Sequence, residues 1–134
     1  MEEQLNWLEK RLSASNADWK IVIGHHPVFS GGKHGNTRRL VDRVKPLLDR
    51  FGVQAYINGH DHDLQHVVVD HVSYITCGAG CEARGTGSVP GTLFSASRLG
   101  FMTAEINRQS LAISFLDDKG QSIYSATITQ GANR

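Results

Sequence analysis

Two short stretches concentrate the residues that could do chemistry. Gly24-His25-His26-Pro27 follows the apolar run Ile21-Val22-Ile23, and Asn58-Gly59-His60-Asp61-His62 follows Val53-Gln54-Ala55-Tyr56-Ile57. Neutral imidazole is a ligand for zinc, iron, manganese and other first-row ions. In an extended segment residues i and i+2 share one side. His60 and His62 are therefore expected to face one metal, or two metals set close together. Asp61 is then turned away, where it can hold the loop or support a ligand from behind. His-x-His by itself also suits histidines that merely cap a strand, but Gly59 lets the backbone turn sharply toward a bound ion. Neighbouring residues diverge, so one ring of His25-His26 is expected to face the site and the other to pack outside. Spacing does not say which.

A third stretch, Gly31-Gly32-Lys33-His34-Gly35, reads as a mobile glycine-rich loop. Lys and His on such a loop suit phosphate binding and proton delivery to a leaving group; the rival reading is a solvated loop histidine. His66 and His71 are expected at the surface of a hairpin. Asp42, Arg43, Lys45 and Asp49 read as the solvated face of a helix. Cys77 and Cys81 read as two free thiols, with a local disulfide and metal ligation as the other readings.

The elements that must position these residues follow from periodicity. Leu5, Leu8 and Leu12 mark an amphipathic helix over residues 2–12, followed by a polar connector over 13–18. Trp19 to Ile23 reads as a strand. Thr37 reads as a helix N-cap, with Leu40, Val44, Leu47, Leu48 and Phe51 on one apolar face. Pro46 should kink or divide that helix, and Gly52 should stop it. Residues 53–57 form the second strand. Strand, helix and strand make a βαβ unit with parallel strands. Ligands in such sheets gather at the carboxyl ends of the strands. That would bring His25, His60 and His62 to one place.

Beyond it the chain is strand-like. Leu64–Val69 and Val72–Cys77 form a hairpin turning at Asp70-His71. Residues 78–98 read as a long loop. Phe101–Ile106 and Leu111–Leu116 pair across Asn107–Ser110, and Ser122–Ile128 is the last strand after a turn over 117–120. The tail from Thr129 to Arg134 is expected to fray. The 134 residues fit a single domain. The net charge of +1 gives no argument for nucleic acid or a membrane surface. No apolar run approaches the roughly 18 residues of a membrane span. The acidic, helical start carries no secretory signal pattern.

Taken together, Gly24-His25-His26-Pro27-Val28-Phe29-Ser30, His34-Gly35, Leu47-Leu48, Tyr56-Ile57-Asn58-Gly59-His60-Asp61-His62 and Ser73 to Gly80 resemble the C-terminal half of a purple acid phosphatase. The tartrate-resistant type, within the calcineurin-like metallophosphoesterases, is the nearest pattern. The likeness keeps its order from Trp19 to about Tyr124. It implies an α/β fold: a βαβ unit followed by antiparallel strands, one half of a four-layer β-sandwich, with residues 1–134 the C-terminal portion of the domain. It implies hydrolysis of phosphate monoesters. Residue by residue, His25 and His60 match ligands of the divalent second metal, and His62 matches a ligand of the first, ferric, metal. His34 matches a substrate-contacting histidine that protonates the leaving alcohol. His26 stands where tyrosine is common. The complete family site holds two metal ions, iron with iron, zinc or manganese, and its members are often secreted or lysosomal.

The departures are as informative. The family's first half supplies bridging and terminal ligands through an Asp, a Gly-Asp-x-x-Tyr motif and a Gly-Asn-His motif, and this chain has none of them. Gly35-Asn36 is followed by Thr37 and is no substitute. At most one metal is therefore expected in this chain alone. Its isolated activity is expected to be weak or nil, and the alternative function is a catalytically inactive metal-binding or interaction module. An apolar sheet face left open should drive homo-oligomerisation or association with an N-terminal half.

Overall fold

Alternation along the strands sorts the apolar side chains into two cores on opposite faces of one sheet. The structure, a computed structural model, describes residues 1–131. Its elements are α1 (Glu2–Ala14), β1 (Ile21–Ile23), α2 (Arg38–Arg43), α3 (Lys45–Arg50), β2 (Ala55–Asn58), β3 (Leu64–Val69), β4 (Val72–Cys77), β5 (Thr92–Ala96), β6 (Gly100–Ile106), β7 (Ser110–Asp117) and β8 (Ser122–Thr129). The first five strands form a mixed sheet in the order β1-β2-β4-β3-β5, and the last three form an antiparallel meander. Tyr56, Val67 and Tyr74 point to one side of the mixed sheet, where Leu5 and Leu12 of α1 and Leu48 of α3 cover them. Ala55, Leu64 and Ile75 point to the other side and meet Leu111, Ile113 and Phe115 of β7. The layers are thus helix, sheet and sheet. Among the described residues no helix covers the outer face of the meander, so three of the four layers expected of the complete sandwich are present. Phe115 is fully buried and stacks with Phe94 and Tyr124. Burial of a side chain of that size stabilises the fold by about 3 kcal/mol.

The βαβ unit forms as its sequence requires. β1 and β2 are parallel, with Ile23 opposite Ile57. Pro46 has no N–H to donate, so the helical segment divides, and proline occupies the first turn of α3. Gly52 takes a positive φ of 65° at the stop. The β3–β4 hairpin has the expected bounds and turns at Asp70, also at positive φ.

Three expectations change. β1 begins at Ile21, two residues late. The 78–98 stretch is not loop throughout, because Thr92–Ala96 pairs with β3 as the outermost strand. Thr129 belongs to β8 rather than to a frayed tail, and residues 132–134 lie outside those described. Cys77 is half-buried and Cys81 exposed, both as free thiols. No helix among the described residues is long and apolar enough to cross a membrane.

A fourth correction concerns His66. It is buried, at 2% exposure, whereas His71 is exposed. β3 is an interior strand between β4 and β5, so its side chains are covered on both faces. The ring pairs through Nδ1 with the Tyr124 hydroxyl and through Nε2 with Ser73 Oγ, both at 2.9 Å. A neutral imidazole has one donor and one acceptor, and hydroxyls can match either. Burial pushes the His66 pKa below the usual histidine value of 6.5. Above that value both folded and unfolded chains hold the ring neutral, and the stability is fully present. Below it the unfolded chain takes up a proton that folded His66 resists, so stability falls as pH falls. Denaturant unfolding across this range should therefore show a stability slope that a His66→Gln chain loses; equal slopes in both chains would refute this.

Candidate metal centre

The parallel register brings the carboxyl ends of β1 and β2 level, and both segments that leave them carry histidine. Two backbone bonds hook these segments together. Gly24 N–H donates to the Ile57 carbonyl at 3.0 Å, and Gly59 N–H donates to the His25 carbonyl at 3.2 Å. Beneath them the Tyr56 hydroxyl donates to the His26 carbonyl at 2.9 Å. Position 24 must be glycine, because a Cβ there would collide with the Tyr56 hydroxyl.

The result is a cluster of imidazoles. The ligand nitrogens of His25, His26 and His60 lie within 4.8 Å of one another. His25 Nε2 and His60 Nδ1 are 3.1 Å apart. The His34 ring lies against the other side of His60, with centroids 4.1 Å apart. The expectation that one of His25 and His26 packs outside does not hold: both rings approach His60, at 5.0 and 4.4 Å between centroids. His60 adopts a φ of +67°, a conformation costly for a residue with a Cβ and common at functional sites. Its pKa is lowered, first by burial and then by the positive charge that His34, His26 and His25 would carry when protonated.

That positive φ also defeats the i, i+2 argument. Residues 60–63 bend rather than extend, so the strand periodicity behind that argument does not apply to His60 and His62. His62 lies outside the three-histidine group and pairs through Nδ1 with Glu82 Oε2 at 2.9 Å. Glu82 is shared with Arg84, which first and with His62 second holds its pKa below the usual carboxylate range. Nothing in the spacing of the sequence marks Glu82. It comes within reach because the Arg84 N–H donates to the His62 carbonyl and folds the 81–84 segment onto this bend.

Asp61 turns inward, as expected, and is 1% exposed. It accepts hydrogen bonds from the Ser30 hydroxyl, from the His34 backbone N–H at 3.1 Å and from the His34 ring Nδ1 at 2.5 Å. Burial works against its charge, but these donors outweigh burial and hold its pKa below the usual carboxylate range. Asp63 beside it is fully buried and is pushed up by that burial, although Gln65 donates to both its oxygens. Gln65 also accepts from the Gly31 N–H and donates to Ser30 Oγ. The glycine-rich loop is consequently pinned at Ser30, Gly31 and His34 and is not the mobile loop its composition implied. Gly32 permits the close approach, since a Cβ there would sit 2.5 Å from Asp63 Oδ2 and 2.8 Å from Asp61 Oδ2. Replacing Asp61 by Ala removes one acceptor from three donors. It should cost about 3 kcal/mol in denaturant unfolding and shift the His34 ring resonances; an unchanged His34 spectrum would show that Asp61 does not position it.

With that geometry in view, the family model and the curated relatives that the chain matches are phosphoesterases and acid phosphatases. Residues 1–64 match the calcineurin-like phosphoesterase family model. The chain is 35% identical over 136 residues to the tartrate-resistant acid phosphatase type 5 of Rattus norvegicus, covering 93% of this chain and 42% of that protein. It is 39% identical over 126 residues to purple acid phosphatase 4 of Arabidopsis thaliana, covering 90% of this chain and 37% of that protein. Among solved structures it resembles GAP50, described as the anchor in the inner membrane complex of Plasmodium. The TM-score is 0.93 at 29% identity, over 99% of this chain and 44% of that one. The chain thus spans less than half the length of the relatives it matches.

Proposed function

This chain belongs to the calcineurin-like phosphoesterases, with tartrate-resistant and purple acid phosphatases as its homologues, and on that premise we propose that it supplies the histidine half of a phosphomonoester-hydrolysing site. The observation that carries the reading is the meeting of His25 and His60 at the paired strand ends, with His34 against them. His25, His60 and His62 would be the metal ligands contributed here. For His62 the support is Glu82: by accepting the Nδ1–H hydrogen bond it leaves the Nε2 lone pair free to ligate, the arrangement in which ligating histidines are held. The donors fit a first-row cation such as iron, zinc or manganese. A bound cation would supply Lewis-acid charge to a phosphoryl oxygen.

His34 is the proton source for the leaving alkoxide. Asp61 occupies its Nδ1, so Nε2 is the nitrogen left to exchange a proton with substrate. Ser30, Gly31 and Gln65 keep the loop in place while it does so.

Imidazoles bring no negative charge. Two divalent ions set about 3.5 Å apart repel by roughly 20 kcal/mol even at an effective dielectric constant of about 20. Asp61, the carboxylate nearest in sequence, is committed to Ser30 and His34. The second ion of the family site therefore needs carboxylates from a segment outside these 134 residues. Such a segment has a place to dock. β1 and β6 are outer strands that expose Ile21, Ile23, Phe101 and Ile106, with Ile23 78% exposed. The Trp19 Nε1–H, bonded to the Asn107 carbonyl at 2.7 Å, ties the start of β1 to the end of β6. Unpaired apolar edges of this kind associate, with a second copy or with the complementary half. Sedimentation at high micromolar concentration should show a dimer or larger species, and a monomer would refute the association.

Hydrolysis of p-nitrophenyl phosphate tests the catalytic reading. The purified, metal-supplied chain should be nearly inactive alone and gain activity when the amino-terminal segment of a relative is added. His34→Ala should then lower kcat by about 100-fold with little change in metal content. A second reading is favoured by the likeness to GAP50: an anchoring module without hydrolytic activity. Complemented, metal-loaded material that still does not turn over substrate would select it.

A further inference from the structure

We propose that residues 82–87 form a positioning strap: Glu82 and Arg84 set the ring of His62, and Gly87 ties that support to the loop that carries His34. The strap presupposes the roles proposed for His62 and His34, and adds to them that one segment sets both. Glu82, Arg84 and Gly87 are positioning residues, acting through the two histidines rather than on the reacting atoms.

Main-chain bonds fasten the strap at successive points. At its root the Gly78 N–H donates to the Asp63 carbonyl at 3.1 Å. A Cβ at Gly78 would collide with the Asp61 carbonyl oxygen, so the chain leaves β4 pressed against the bend that carries His62. The Arg84 N–H then donates to the His62 carbonyl at 2.7 Å. The Gly87 N–H donates to the Gly31 carbonyl at 2.8 Å. Gly31 is held in turn through its own N–H, which donates to Gln65 Oε1 at 2.8 Å. From Arg84 to Gly87 the chain thus passes directly from His62 to the loop of His34. The far contact is close, since a Cβ on Gly31 would stand 2.5 Å from the Gly87 carbonyl oxygen.

Two side chains of the strap act on the ring. Glu82 Oε2 accepts from His62 Nδ1 and from the Arg84 guanidinium, both at 2.9 Å. One oxygen is therefore shared between imidazole and guanidinium. The Glu82 side chain is 54% exposed and has other rotamers open to it, whereas Arg84 is 32% exposed and starts from a backbone bonded to His62. Arg84 is thus the fixed partner, and its bond selects the Glu82 rotamer that meets His62. An exposed ion pair contributes little to stability. What this pair contributes is direction: it keeps the proton on Nδ1 and the Nε2 lone pair free to ligate.

Nitrogen-15 spectra of the imidazoles in the whole, metal-free chain test the strap without any need for activity. A His62→Gln chain assigns the His62 signals, which are read well above the usual histidine pKa of about 6.5 so that the ring is neutral. The Nδ1–H tautomer is expected in the parent, because the hydrogen bond at one ring nitrogen decides where the proton sits. Glu82→Ala should return the ring to the Nε2–H form, and Glu82→Gln should keep the parent form through its amide oxygen. Arg84→Ala should give a mixture, and Arg84→Lys, which retains a donor, should restore the parent spectrum. Gly31→Ala presses on Gly87, and Gly87→Pro removes its N–H. Each should shift the His62 signals in the direction of Arg84→Ala, with far-UV circular dichroism verifying the fold, while Lys33→Ala on the same loop should leave them in place. A parent in the Nε2–H form, or a Glu82→Ala chain that keeps the parent spectrum, would overturn the hold on the ring. His62 signals unmoved by both Gly31→Ala and Gly87→Pro would overturn the tie to the His34 loop. Complemented material that fails to hydrolyse p-nitrophenyl phosphate would instead overturn the catalytic reading, and the His62 spectra would still decide the strap.

Discussion

Everything at the candidate site depends on the parallel pairing of β1 with β2. With Ile23 opposite Ile57, the two strands run out at the same level, and the next residues of each are free to leave the sheet. The Gly24–Ile57 and Gly59–His25 backbone bonds then stitch the two departing segments to each other. A shift of one residue would turn Tyr56 out of the helical core and break both bonds. These main-chain bonds, rather than any attraction between imidazoles, bring the histidine-bearing segments together.

Beneath the cluster lies a floor of buried polar groups: Asp61, Asp63, Gln65 and Ser30, each at most 1% exposed. Buried carboxylates are costly unless their oxygens are bonded. Gln65 of β3 satisfies Asp63, whereas the donors to Asp61 come from the glycine-rich loop, so the bonds that satisfy Asp61 also fix the loop that carries His34. Two glycines make this possible for steric reasons, Gly24 over the Tyr56 hydroxyl and Gly32 over the two aspartates. Rigidity at this site thus rests on polar satisfaction, in contrast to the apolar packing that joins the two sheets around Phe115.

The charge balance of the cluster sets what it can do by itself. His60 meets the rings of His25, His26 and His34, while Asp61 is directed to His34 and Glu82 to His62, so the cluster itself presents imidazole nitrogens and no carboxylate. The relatives are proteins more than twice as long, and β1 and β6 are outer strands of their sheets. In the proposed reading, occupancy by one ion would rest on residues present here, and hydrolysis of a phosphomonoester on carboxylates brought to them.

The sequence alone determined the elements and the chemical class. Hydrophobic periodicity placed the βαβ unit, Pro46 divided the helix, Asp70 turned the hairpin, and two Gly-then-His strand ends marked the metal chemistry. These are local signals, carried by neighbours within a few residues. Tertiary structure decided which histidines converge. The Arg84 bond to the His62 carbonyl brings Glu82 to His62, and His26 stands beside both His25 and His60, against the divergence that adjacent residues normally show. Burial of His66 follows from β5 pairing beside β3 and β8 packing over it, contacts between residues 58 positions apart in the case of His66 and Tyr124. The glycine-rich loop looked mobile because composition records only what its backbone can do; the donors and acceptors that hold it still come from Asp61 and Gln65, some 30 residues away. Long-range pairing leaves no trace in local spacing, and at this site it settled which side chains stand together.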